Sequence, residues 1–211
     1  MDCLGDHLMV CKKLVGVRMF RHNSCAGEFG AMVREARGVS ALEKTFGWLG
    51  LEGTEKERNK RVDVYVRWPG GATECWDNTH PHPTCASNLA AARVPGGAAS
   101  MSEKKKHAKY GPACRTLGTT FVALAGETYG RWGEETANRL RKMATSVQSE
   151  VGAPIKIDKA VLGAWWRRLS CTLQHGNAAC IQQAIDWGQN GSSWVGVGRY
   201  DWRDAGKPRW G

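Results

Sequence analysis

The sequence predicts an α/β (α+β) domain, a mixed β-sheet of about four strands flanked by helices, with a helical C-terminal extension. Three observations predict it. Strand-like alternation occurs on both sides of a glycine turn, in RVDVYVR (61–67) and CWDNTH (75–80). A further short apolar run, TTFVALA (119–125), follows a helical stretch, the pattern of a strand–helix–strand crossover. From residue 131 onward helical periodicity dominates.

The first helix is expected in NSCAGEFGAMVREARG (23–38), capped by Asn23 or Ser24. Its apolar face is Phe29, Met32, Val33 and Ala36, and its exit is at Gly38. VSALEKTF (39–46) reads as a short strand, and GLEGTEKERNK (50–60) as a charged loop without periodicity. In the next strand Val62, Val64 and Val66 share one face, and Asp63, Tyr65 and Arg67 the other. Residues 84–100 read as a loop. Ser100 and Glu103 have capping-box spacing for a helix that Pro112 should interrupt. Helical patterns fill 131–150 and 158–187, with a break at Gly152–Pro154. The domain organisation read from this is a Cys/His segment (1–22), a core (23–150), a C-terminal helical extension (151–187) and a disordered or loosely docked tail (188–211).

A chain of 211 residues, 42% of them hydrophobic, can bury a sizeable core. Its formal charge of +10 points to an anionic partner, with DNA first, RNA second and a membrane surface excluded; charge for solubility is the plainer alternative. The start, MDCLGDHLMVCKK, has acids and a histidine where a leader would be apolar, and no stretch of ~18 apolar residues occurs. Eight cysteines in that context read as reduced thiols or metal ligands. The expectation is a soluble nuclear or otherwise intracellular protein, not secreted, with no small-molecule substrate.

The two acids of the hairpin are the first functional signal. Pairing centred on Gly70 sets Asp63 opposite Asp77, with Cβ atoms about 4.5–5.5 Å apart. Like charges at that distance repel unless a cation lies between them or one carboxylate keeps its proton. A hard divalent ion, Mg²⁺ (or Mn²⁺), would relieve the repulsion and create a Lewis-acid site. Two alternatives stay open: a one-residue slip sends the acids to opposite faces, and a solvated hairpin carries both without function.

Several strings fall in a familiar order: LGDHLMVC (4–11), RHN (21–23), RVDVYVRWPGG with CWDNTHPH, KHAKY (106–110) and FVALAGETYGRWG (121–133). Over roughly residues 3–185 the chain resembles the C-terminal region of reverse transcriptases from non-LTR retrotransposons that carry a restriction-like endonuclease. The resemblance implies a restriction-endonuclease-like core of the PD-(D/E)XK type, preceded by a GDH-containing Cys/His motif. The implied activity is metal-dependent nicking of target DNA. By position, Asp63 and Asp77 stand at the family's two acids, Lys106 and Lys109 at the lysine supplied by the following helix, and Glu43 is a candidate third metal ligand. Val62 replaces the family's proline, Thr79 stands where the simple motif has lysine, and Gly111–Pro112 follows KHAKY. With no polymerase domain ahead of these strings, the expectation is a detached fragment of a mobile element. A catalytically inactive, basic nucleic-acid-binding relic of the domain is the alternative.

Cys3, His7 and Cys11 have the spacing C-x3-H-x3-C, and His22 is the candidate fourth ligand of a structural Zn²⁺. Ordinary thiols in a frayed terminus explain the same residues. His80 and His82, flanked by prolines, read as solvated loop histidines. The basic run EKKKHAK, with Lys104 and Lys105, is a phosphate-facing candidate together with Arg18 and Arg21. The tail's Trp194, Trp202, Arg203, Arg209 and Trp210 could stack on single strands.

Overall fold

A computed structural model describes residues 6–146 and 157–190. Helices α1 (Asp6–Val10) and α2 (Val15–Glu35) lead into strand β1 (Val39–Thr45). A one-turn helix α3 (Glu55–Arg58) precedes β2 (Arg61–Arg67) and β3 (Thr73–Thr79). Helix α4 (Gly97–Thr116) crosses over to β4 (Thr120–Ala125), and α5 (Glu134–Ser146) and α6 (Lys159–Asn190) follow. The sheet order is β1-β2-β3-β4, antiparallel through β3, with β4 parallel to β3. This is the expected mixed sheet flanked by helices.

The β2–β3 turn sets the register. Gly70 and Gly71 have φ of 93° and 89°, a region in which a side chain is strained, so the pair of glycines fixes where the chain reverses. Val64 pairs with Trp76 and Arg67 with Thr73, the register expected from a turn at Gly70.

Each face of the sheet carries its own core. On one side Val64, Val66, Trp76, Val122 and Leu124 pack under Phe29 and Met32 of α2, Leu140 of α5 and Trp165, Leu169 and Leu173 of α6. On the other, Cys75, Phe121 and Ala123 meet Tyr110 and Cys114 of α4. Burying one such aliphatic or aromatic side chain is worth roughly 1.5–3 kcal/mol. Val62 packs with Phe46 on the α4 side, away from Val64 and Val66, so the strict alternation expected for this strand fails at its first turn. Beside it on β1, Glu43 has φ of 55°, which breaks the β1–β2 ladder between Leu42 and Lys44.

Several boundaries differ from the sequence reading. Helix α2 begins at Val15, not at a cap on Asn23 or Ser24, and runs through the expected boundary at residue 22. Its buried stripe is Val17, Arg21, Cys25 and Phe29, one residue every turn, and the arginine within it disguises the periodicity. Helix α4 begins at Gly97 rather than Ser100 and continues through Pro112. A Cβ at position 97 would lie 1.8 Å from the Ala91 carbonyl oxygen, so only glycine lets α4 start against the preceding 3-10 turn (Ala91–Arg93). The 50–60 segment is also more ordered than expected. Thr54 and Glu57 form a reciprocal capping box on α3. Helix α6 is no appendage, since Trp165, Leu169 and Leu173 are core residues packed with α2. The tail residues Trp194, Trp202, Arg203, Arg209 and Trp210 lie outside the described residues.

Candidate metal and acid site

The register of the two hairpins aligns three acids. Leu42 pairs with Val64 and Lys44 with Val62, so Glu43 is level with Asp63. Val64 pairs with Trp76, so the next row sets Asp63 level with Asp77, and Asp77 in turn pairs with Ala123 of β4. The β2–β3 ladder opens at this row. In place of a backbone pair, the Asn78 N–H donates to Asp63 Oδ2 at 2.6 Å. Asp63 and Asp77 are both buried, at 8% and 3% exposure, and Glu43 is exposed.

Helices on both sides of the sheet reach this row. From α2, His22 Nε2 lies 3.0 Å from Asp63 Oδ1, and the His22 carbonyl accepts from Asn78 Nδ2 at 2.9 Å. From α4, Lys106 is ion-paired with Asp77. One turn on, Lys109 Nζ donates to Tyr110 Oη at 2.7 Å, and Tyr110 lies near enough to Asp77 to feel its charge. At the outer edge Arg61 pairs with Glu43 at 3.2 Å.

The buried acids and their partners shift one another's titration. Burial first, and the neighbouring Asp63 charge second, raise the Asp77 carboxyl above the ordinary range, against the pull of Lys106. Burial works to lower the His22 imidazole, yet its hydrogen bond and charge attraction to Asp63 leave it raised. Tyr110 is raised by burial and by the Asp77 charge. His80, beside this group, is pushed down to about 3 by burial and by the charges of Arg21 and His22. The two buried carboxylates each have one partner group, His22 on Asp63 and Lys106 on Asp77, and a cation beside them would further offset their mutual repulsion.

Ligand atoms of His22, Glu43 and Asp63 lie within 4.8 Å of one another, the one such group among the described residues. Glu43 therefore joins Asp63 as the sequence suggested, and His22 joins them from α2. Asp77 stands one strand further along the row, occupied by Lys106. The Zn²⁺ grouping of Cys3, His7, Cys11 and His22 divides. Cys3 lies outside the described residues, His7 sits on α1, Cys11 is a half-buried free thiol, and His22 is seated on Asp63.

The basic candidates also divide. Lys104 and Lys105 are exposed on α4 just before Lys106, and Lys109 is exposed too. Arg21 is buried at 3% exposure and donates to Asn177 Oδ1 at 2.8 Å, so it ties α2 to α6 and cannot reach a phosphate. Half-buried Arg18 donates to the Val10 carbonyl at 3.0 Å, which makes it a brace for the N-terminal turn. His82 is buried, within 2.5 Å of Thr128 Oγ1 and 2.8 Å of Thr84 Oγ1, and half-buried His80 lies 3.3 Å from the Gly126 carbonyl. Neither is the solvated loop histidine expected. Sequence reasoning grouped His22 with Cys3, His7 and Cys11 and did not foresee its seat on Asp63, which no local signal marks because the contact joins elements far apart in the chain. Comparison with models of known protein families and with curated proteins finds no match for this chain.

Proposed function

We propose that the protein is a divalent-metal-dependent DNA endonuclease domain with a restriction-endonuclease-like core. One observation carries the reading: Glu43, Asp63 and Asp77 are level on three neighbouring strands, and Lys106 reaches the row from the crossover helix. The order of helix, three antiparallel strands, helix and parallel strand supports the same reading, as does the sequence resemblance to retrotransposon endonucleases. Two carboxylates and an imidazole suit Mn²⁺ as well as Mg²⁺. A bound ion would polarise the scissile phosphate and lower the pKa of a bound water.

The chain's own groups have separable parts in this. Asp63, Glu43 and His22 would hold the ion, His22 Nε2 lying 3.0 Å from Asp63 Oδ1. Lys106 brings an ammonium beside Asp77, where it can turn to a phosphate oxygen as negative charge develops there. Tyr110, hydrogen-bonded to Lys109, stays near Asp77 while Lys106 turns. Exposed Lys104 and Lys105 neutralise backbone phosphates along α4.

The test is nicking of supercoiled plasmid by the purified chain with Mg²⁺, with Mn²⁺ and with EDTA. The expected result is metal-dependent nicking reduced at least 100-fold in Asp63→Ala and Asp77→Ala. A second reading, nucleic-acid binding without cleavage, is favoured by one observation. His22 and the Asn78 N–H already satisfy Asp63, and Lys106 already pairs with Asp77. Folded protein that retards DNA in a gel but leaves plasmid intact under every metal would establish that second reading.

A further inference from the structure

A second feature lies at the other end of the sheet, on the face opposite α4. Where the β2–β3 turn meets the end of α2 and the middle of α5, a cavity of about 440 Å³ is lined by Ala36, Arg37, Trp68, Glu74, Arg139 and Lys142, among others. Five residues of strand separate Trp68 from Asp63, about 16 Å at a strand's rise per residue. The cavity is therefore distinct from the acid row. Its volume falls in the range of small-ligand sites, and it is larger than a bare phosphate needs.

The lining has two chemistries. Its wall is an aromatic and cationic stack. The Arg139 guanidinium lies 5.1 Å from the Trp68 ring centroid and 5.5 Å from that of Trp76, and it is ion-paired with Glu74. The same Glu74 oxygen, Oε2, also accepts from Trp76 Nε1 at 2.8 Å, so the cavity's carboxylate is held by Arg139 and Trp76. The remaining charged groups of the lining, Arg37 and Lys142, are both cationic and both exposed.

Arg37 is the informative residue. It has φ of 63°, the left-handed conformation just past a helix end, where glycine is the unstrained choice. Among the described residues its guanidinium makes no hydrogen bond or ion pair. The left-handed turn closes α2, with the Gly38 N–H on the Val33 carbonyl at 2.8 Å, and it sets an unpaired guanidinium at the rim of the cavity, where an anionic group of a ligand would meet it.

We propose that this cavity binds a nucleotide, its base against Trp68 and its phosphate on Arg37 and Lys142. A flat π-face beside a tryptophan and a phosphate beside two cations are the complement of such a lining. The nucleotide is either free or the 5′-phosphorylated end of a strand. This site would exist whether or not the acid row cleaves DNA.

The test is calorimetric titration of the full chain in EDTA with dAMP, deoxyadenosine and inorganic phosphate, at low salt. Saturable one-site binding of dAMP, at least tenfold tighter than either of the other two, is expected. A 5′-phosphorylated oligodeoxyadenylate that outcompetes dAMP identifies the strand end as the source, and the reverse order identifies the free nucleotide. Arg37→Gly should weaken dAMP at least tenfold while raising Tm by about 2–4 °C, because glycine relieves the backbone strain. Lys142→Gln should weaken binding several-fold. Absence of saturable binding, inorganic phosphate binding as tightly as dAMP, or an Arg37→Gly variant that binds like the parent would each overturn the proposal. EDTA removes metal-dependent cleavage from the readout, so failure of nicking and failure of this site are separate results.

Discussion

Lys106 sits between two roles that pull in opposite directions. In the folded chain it neutralises a buried aspartate whose neighbour on the next strand is a second buried aspartate. Lys106→Met leaves that carboxylate without its cation, and a loss of about 2–3 kcal/mol is expected in urea unfolding at neutral pH. Most of that loss should return in the double variant Lys106→Met with Asp77→Asn, which removes the stranded charge as well. A purely packing role for the lysine stem would leave the double variant as unstable as the single. A second titrating residue lies a turn earlier on α4. Glu103 is pushed up to about 7 by burial and by the nearby charge of Glu135, and its Oε1 is enclosed without a hydrogen-bond partner. A carboxyl raised on folding favours the folded state below its unfolded pKa, and the benefit is lost as pH rises through the folded value. Glu103→Gln should therefore match the parent's stability near pH 4 and exceed it increasingly up to about pH 7. Parallel denaturation curves at each pH check this; a constant difference would rule out the titration.

The strands and helices differ in how far local sequence specifies them. The β2–β3 hairpin was legible because Gly70–Gly71 fixes the turn and the alternation around it fixes the faces, so the level placement of Asp63 and Asp77 follows from short-range information. The break at Glu43 was not legible, since nothing local marks a glutamate for a left-handed backbone. Arg21 looked like a surface cation because its partner, Asn177, arrives from α6, a long way along the chain. Pro112 was expected to interrupt α4, yet the helix runs four residues past it, held against β4 through buried Cys114. The proline still costs that helix one backbone hydrogen bond. Pro112→Ala should accordingly stabilise the fold by about 1 kcal/mol, a gain limited by the greater freedom of the unfolded chain. Gly97→Ala tests the other end of α4. Its Cβ would meet backbone, so a loss of about 3 kcal/mol or more is expected, read as a fall in Tm.

At the scale of the whole molecule, α2 and α6 lie side by side over one face of the sheet. Arg168 pairs with Glu28 at 2.7 Å, and Trp165, Leu169 and Leu173 fill the main core. A chain ending at residue 156 should lose that core and bind a hydrophobic dye. A well-folded truncation with sharp near-UV circular dichroism would show that α6 is dispensable. Among the described residues no helix is long and apolar enough to cross a membrane. The sheet has two outer edges, β1 and β4, and the irregularity at Glu43 falls on the first. An open strand edge can recruit a strand from another molecule, and its length sets the strength of that recruitment. Here the ladder breaks after Leu42, leaving Val39 to Leu42 as the only regular run before the kink. The residue that brings a carboxylate to the acid row thus also shortens the edge on which a foreign strand could grow, guarding the protein against self-association.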